Sequence, residues 1–122
     1  MPDTTQFPLV FMRLKSLLEP YAPALVVTAD TPEVYYLNTH YAEHYQKEVF
    51  FGAAQIKKNY VSYYLMPVYM FPDLLASLSP RLRKRMQGKS CFNFTAIEED
   101  LLAELAQLTQ QGAERFRQES LL

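Results

Sequence analysis

"EVFFGAAQIKKNYVSYYLMPVY", residues 48 to 69, decides the fold. Two runs rich in branched and aromatic side chains, EVFFGAAQIKK and YVSYYLMPVY, meet at Lys57-Lys58-Asn59. Such side chains suit a pleated, half-buried surface, and Asn tolerates the left-handed backbone that a tight turn needs. The stretch therefore reads as a third and a fourth strand joined as an antiparallel hairpin. Along the second run, alternation sets Val61, Tyr63 and Leu65 on one face and Tyr60, Ser62 and Tyr64 on the other. Rings on both faces predict that both are covered.

Upstream, EVYYLNT (33–39) and ALVVTAD (24–30) read as the second and first strands, which makes an antiparallel meander. Thr39–Lys47 reads as a solvated connection. Phe7, Val10, Phe11, Leu14, Leu17 and Leu18 recur at helical spacing, so an amphipathic helix is expected over Phe7–Leu18. Pro20 and Pro23 end it, since each lacks an amide hydrogen and disfavours helical geometry in the residue before it.

Downstream, Pro72 and Ser79-Pro80 sit where helices start, which predicts two short helices over Pro72–Leu78 and Pro80–Met86, with Ser79 as a cap. CFNF (91–94) reads as the last strand. Thr95-Ala96-Ile97-Glu98 has the pattern of a capping box, and Glu98, Glu99 and Asp100 complement the positive end of a helix. A long C-terminal helix with the stripe Ile97, Leu101, Leu105, Leu108, Gly112 and Phe116 follows, and Gly112 marks a close approach or a weak point. Helix, meander, short helices, strand and helix make an α+β two-layer sandwich, a mainly antiparallel sheet with N- and C-terminal helices packed on it. One domain is expected over residues 1–122.

The 122 residues are 49% apolar and 20% charged, with nine Tyr, eight Phe and three Gly. That composition supplies a core and excludes disordered and fibrous classes. Twelve basic and thirteen acidic residues nearly cancel, so no net field recruits nucleic acid or an anionic membrane. A single cysteine, Cys91, forms no internal disulfide, which fits a reducing, cytoplasmic compartment. Met1-Pro2-Asp3 lacks a basic leader, and Pro8, Arg13 and Lys15 break the early apolar run, so neither a signal peptide nor a membrane span is expected.

FFGAAQIKKNYVSYYLMPVYMFPDLL (50–75), followed by RMQGKSCFNF (85–94), resembles the domain of unknown function 1801 family, also called YdhG-like. The resemblance runs from about Leu14 to Phe116 and rests on the aromatic strand pair, the Met66-Pro67 step and the Lys89–Phe94 strand. It implies the α+β sandwich of a wider group that includes frataxin-like and YjbR-like proteins. It implies two functional classes, an iron chaperone and a nucleic-acid binder, and no agreed catalytic set.

HYAEH (40–44) has the spacing of a zinc-peptidase helix, but no third His exists in the chain, and Glu33, Glu43 or Glu48 would complete only a weak surface site. No metal or cofactor is expected. Gly88-Lys89-Ser90 matches the end of a phosphate-binding loop, yet Arg83 stands where that loop needs glycine; a simpler anion contact from Lys89 is retained. Arg81, Arg83, Lys84, Arg85 and Lys89, with Lys57 and Lys58, read as solvated faces, so nucleic acid is not an expected partner. Glu98, Glu99, Asp100 and Glu104 are the only cluster that suits iron, and helix capping explains most of it. Cys91 reads as a packing cysteine. The preferred site is an aromatic, lysine-edged cleft built from Lys57, Tyr60, Tyr63, Tyr69, Lys89 and Asn93, with Tyr64 beside them, which would bind a small ligand or a protein partner without catalysis. A frataxin-like iron chaperone is the alternative. A strongly perturbed titratable group inside the cleft would signal an enzyme instead. The sequence leaves the oligomeric state open: a homo-oligomer is possible where the fourth strand sits at a sheet edge and pairs with a copy.

Overall fold

Phe7, Val10, Phe11, Leu14 and Leu18 all turn inward along α1 (Phe7–Leu18), the helix that the spacing of these residues predicts. The computed structural model describes residues 4–122; the reading of Met1-Pro2-Asp3 lies outside the described residues. A three-ten helix, Glu19–Ala24, follows α1 and carries Pro20 and Pro23 into β1 (Val26–Asp30). The meander continues with β2 (Val34–Ala42), β3 (Lys47–Ile56) and β4 (Val61–Leu65). Then come α2 (Met66–Met70), a three-ten turn at Pro72–Leu75, α3 (Pro80–Arg83), β5 (Met86–Gln87), β6 (Cys91–Phe94) and α4 (Glu99–Gln118).

The six strands form one sheet in the order β1-β2-β3-β4-β6-β5, and every neighbouring pair is antiparallel. With helices at both ends of the chain, this is the expected α+β sandwich. Leu14 and Leu18 of α1, Tyr35, Leu37, Phe51, Ala54, Val61, Tyr63, Leu65, Phe92 and Phe94 of the sheet, and Leu101, Leu105, Leu108 and Phe116 of α4 share one core. Each Val, Leu or Phe side chain withdrawn from water contributes roughly 1.5–3 kcal/mol before entropy is counted, so this layer drives folding.

Several boundaries differ from the sequence reading, each for a physical reason. Strand β2 runs past Thr39 to Ala42, because the Thr39 hydroxyl accepts the Val49 amide hydrogen at 2.9 Å and carries the ladder across a shift in register. His40 is therefore an exposed strand residue, and only residues 43–46 turn, with Gln46 at a φ of 55°. Strand β4 ends at Leu65 instead of Tyr69, since Pro67 has no amide hydrogen for a ladder and suits the first turn of α2. It also lies between β3 and β6, not at an edge, so it offers no free backbone to a second copy. The second short helix stops at Arg83 because Met86 and Gln87 are drawn into β5 opposite Phe92 and Cys91; Ser79 caps it as expected, accepting the Leu82 amide hydrogen.

The capping box does not form. Helix α4 starts at Glu99, and the extended Glu98 before it makes no side-chain cap bond. Its carboxylate instead accepts from Arg85 Nε at 2.9 Å and from Arg81 at 3.1 Å. Guanidinium partners give charge-assisted bonds, which outcompete a neutral amide.

Gly112 does mark a close approach. A Cβ there would sit 2.9 Å from Pro67 Cβ and 3.0 Å from its Cγ. Alanine would gain up to about 1 kcal/mol in helix propensity, but a rigid proline ring cannot yield, and overpacking costs about 1–3 kcal/mol. Gly112→Ala is expected to cost a net ~1 kcal/mol of stability, read as a lowered urea midpoint; a raised midpoint would show that α2 moves aside freely.

Candidate functional site

The six residues expected to form one cleft fall in four places. Tyr63 points from β4 into the core, fully buried, and its hydroxyl lies 2.6 Å from that of Thr109 on α4. Burial pushes its pKa well above the usual tyrosine value. It cannot touch a ligand at the surface. Tyr60 closes the β3–β4 hairpin, its carbonyl accepting the Lys57 amide hydrogen at 2.8 Å.

Lys57 and Asn93 belong with the face of the sheet that also carries Tyr64. Lys57 Nζ lies 5.9 Å from the Tyr64 ring centroid. Asn93 is occupied in tying strands together: Oδ1 accepts the Ser62 hydroxyl at 2.7 Å, and Nδ2 donates to Gln87 Oε1 at 2.7 Å. Cys91 sits beside it, half-buried, with its thiol pKa raised chiefly by desolvation. A raised pKa leaves little thiolate, which fits the packing role.

Tyr69 and Lys89 are the pair that the fold does bring together. They border a groove of about 640 Å³. Val68 and Tyr69 come from α2, Pro72 and Leu75 from the following turn, Arg83 from α3, and Met86 from β5. Gly88 and Lys89 close it; Gly88 has a φ of 77°, so the tight turn between β5 and β6 needs a residue without a side chain. Arg83 is held at the rim by donating to the Leu75 carbonyl at 2.6 Å. Tyr69 is 54% exposed. The wall thus offers an apolar floor, one accessible ring and two cations, and none of its lining residues carries a carboxylate.

No family model, curated protein or solved structure matches this chain. The geometry alone must therefore separate the functional classes.

The acidic cluster considered for iron is engaged by partners of its own. Glu98 pairs with Arg81 and Arg85, Asp100 with Arg81, and Glu99 with Arg13. Glu104 accepts from the Ser79 amide at 2.7 Å and from its hydroxyl at 2.6 Å. The Arg13 guanidinium holds the Glu99 carboxyl below its usual range. Among the described residues, no three His, Cys, Asp or Glu side chains are placed to hold a metal ion together. His40 and His44 are both exposed, and the His44 ring lies 5.0 Å from that of Tyr45.

Two of the basic residues are likewise committed, Arg81 and Arg85 to Glu98. A second concavity, about 390 Å³ between α1 and the β1–β2 turn, is bordered by Lys15 and Asp30, which neutralise each other at 2.9 Å. No helix among the described residues is long and apolar enough to cross a membrane.

The sequence missed Arg83, Met86, Leu75 and Val68 as wall residues. The available signal was weak: a two-residue strand is too short for periodicity, and its pairing beside β6 is what sets Met86 in the groove that Val68 and Tyr69 also line.

Proposed function

We propose that this chain is a non-catalytic binding protein whose site is the groove between Tyr69 and Lys89. Its ligand is a small molecule with an apolar body and an anionic head. The observation that carries this reading is the asymmetry of the wall, an apolar floor of Val68, Pro72, Leu75 and Met86 beneath Arg83 and Lys89. Its volume of about 640 Å³ lies in the range of small-molecule sites, about 300–1,000 Å³. Two cations fix a head group, while the floor rewards an apolar tail in proportion to the area it covers. The group pushed furthest from its ordinary protonation, Tyr63, lies in the core and not in the groove, which favours binding over catalysis. A cytoplasmic setting is part of the proposal, supported by the lone Cys91. So is membership of the domain of unknown function 1801 family, supported by the residues of the β3–β4 hairpin, the Met66-Pro67 step and the Lys89–Phe94 run.

Octyl phosphate is a suitable probe, with octanol as its uncharged counterpart. Calorimetric titration is expected to show saturable binding of octyl phosphate, weakened about tenfold by Lys89→Ala and by Arg83→Ala through loss of a charge-assisted contact. Saturation by octanol with equal affinity, or unchanged affinity in both variants, would reject the groove as an anion site. Ferrous iron added to the same protein separates the iron-chaperone alternative: amide shifts confined to residues 98–104 would support that alternative.

A further inference from the structure

The face of the sheet that carries Tyr64 has a gap between two rings. The register sets Ala29, Tyr36, Ala53, Tyr64 and Cys91 side by side across five strands. Large and small side chains thus alternate. The Tyr36 ring also packs against Phe50, with centroids 4.6 Å apart and planes tilted by 31°. Tyr36, Phe50, Ala53, Gln55 and Tyr64 surround a hollow of about 190 Å³.

Its width follows from strand spacing. Neighbouring strands lie about 4.8 Å apart, so the two tyrosines are rooted roughly 10 Å from each other. Aromatic rings pair at centroid distances of about 4.5–7 Å, so one flat ring between two others needs roughly 9–14 Å. An alanine between the tyrosines is what leaves that room. Ala53 is only 2% exposed, so it lies at the bottom of the hollow and a guest bears mainly on the larger side chains around it. Gln55, next on the same face of β3, supplies an amide that donates and accepts. Lys57 Nζ over the Tyr64 ring supplies positive charge, and none of the five surrounding residues is acidic.

We propose that this hollow is a second binding site, for a planar aromatic anion. Its five surrounding residues are distinct from those of the Tyr69–Lys89 groove, and its ligand class differs: a flat ring carrying negative charge, held by stacking, one ammonium and one amide. Lys57 acts from the rim by orienting the anionic substituent toward the hairpin turn.

The test uses 2-naphthoate, titrated into protein carrying labelled alanine methyl groups, with cyclohexanecarboxylate as a non-planar control of the same charge. A saturable ring-current shift of the Ala53 methyl is expected with 2-naphthoate and none with the control. Lys57→Gln, a surface change that leaves the fold intact, is expected to weaken binding about threefold to fivefold. Ala53→Leu fills the gap and is expected to abolish it, while Lys89→Ala leaves it unchanged. An Ala53 methyl that does not shift saturably, an equal response to cyclohexanecarboxylate, or loss of the response in Lys89→Ala would each overturn the proposal. Because Lys89→Ala disables the groove alone, failure of one site is distinguishable from failure of the other.

Discussion

Phe116→Ala is expected to lower the unfolding free energy by about 3–5 kcal/mol, the usual cost of removing a buried phenyl ring. Phe116 is fully buried on α4. Its ring lies 5.5 Å from that of Phe51 on β3 and 6.4 Å from that of Phe71, both at steep edge-to-face angles. It is thus where the long helix, the sheet and the segment after α2 meet. Helices and strands around it are fixed by other contacts and cannot collapse into the space, so the cavity term adds to the lost transfer energy. Domains of this size have roughly 5–15 kcal/mol to lose, so thermal unfolding should drop by on the order of 15 °C. A fall below about 1 kcal/mol in urea titration would mean that the sheet and α4 are not packed as described. Because Phe71 leads directly into Pro72 of the groove wall, the variant should also loosen octyl phosphate binding.

The second large effect concerns two hydroxyls in the core. Thr109 Oγ1 donates to the Leu105 carbonyl at 2.8 Å, which leaves the Tyr63 hydroxyl to donate to Thr109 Oγ1 at 2.6 Å. The two partners are not equivalent. Tyr63→Phe removes one donor and leaves Thr109 still bonded to its own helix, at a cost of about 0.5–1.5 kcal/mol. Thr109→Val keeps the shape but strands the Tyr63 hydroxyl without a partner in an apolar core, at a cost of about 1–3 kcal/mol. The double variant should cost less than the sum, since it removes the stranded group. Equilibrium unfolding of the three variants reads this directly, and Tyr63→Phe costing more than Thr109→Val would reverse the assignment of donor and acceptor. The raised Tyr63 pKa carries a matching pH effect. Its contribution is complete below the unfolded tyrosine value, about 10, and is lost as pH rises above it, because only the unfolded chain then ionises freely.

The hairpin at Lys57-Lys58-Asn59 and the helix over Phe7–Leu18 were legible because alternation and helical spacing extend over many residues. The Tyr63 face was legible for the same reason, yet its meaning was not. Alternation shows that Tyr63 shares a face with Val61 and Leu65, but only the position of α4 makes that face the covered one, which removes Tyr63 from any cleft. Asn93 resembled a ligand contact and is instead a tie between Ser62 and Gln87. The bond to Ser62 joins residues 31 positions apart, and local pattern carries no information about it. Thr95–Glu98 had every local feature of a capping box and lost to Arg81 and Arg85, which approach from α3 and the residues after it. The groove is half legible: the sequence marks Tyr69 and Lys89, while Arg83 reads as part of a solvated helix face because nothing local predicts that Leu75 holds it over the rim.

Amide shift mapping of the labelled protein with octyl phosphate bears most directly on the binding site. Shifts should concentrate at residues 68–75 and 83–89 and saturate together, with residues 98–104 unmoved. Saturable shifts along α4 with residues 83–89 unmoved, or no saturable shifts at all, would contradict a ligand site between Tyr69 and Lys89.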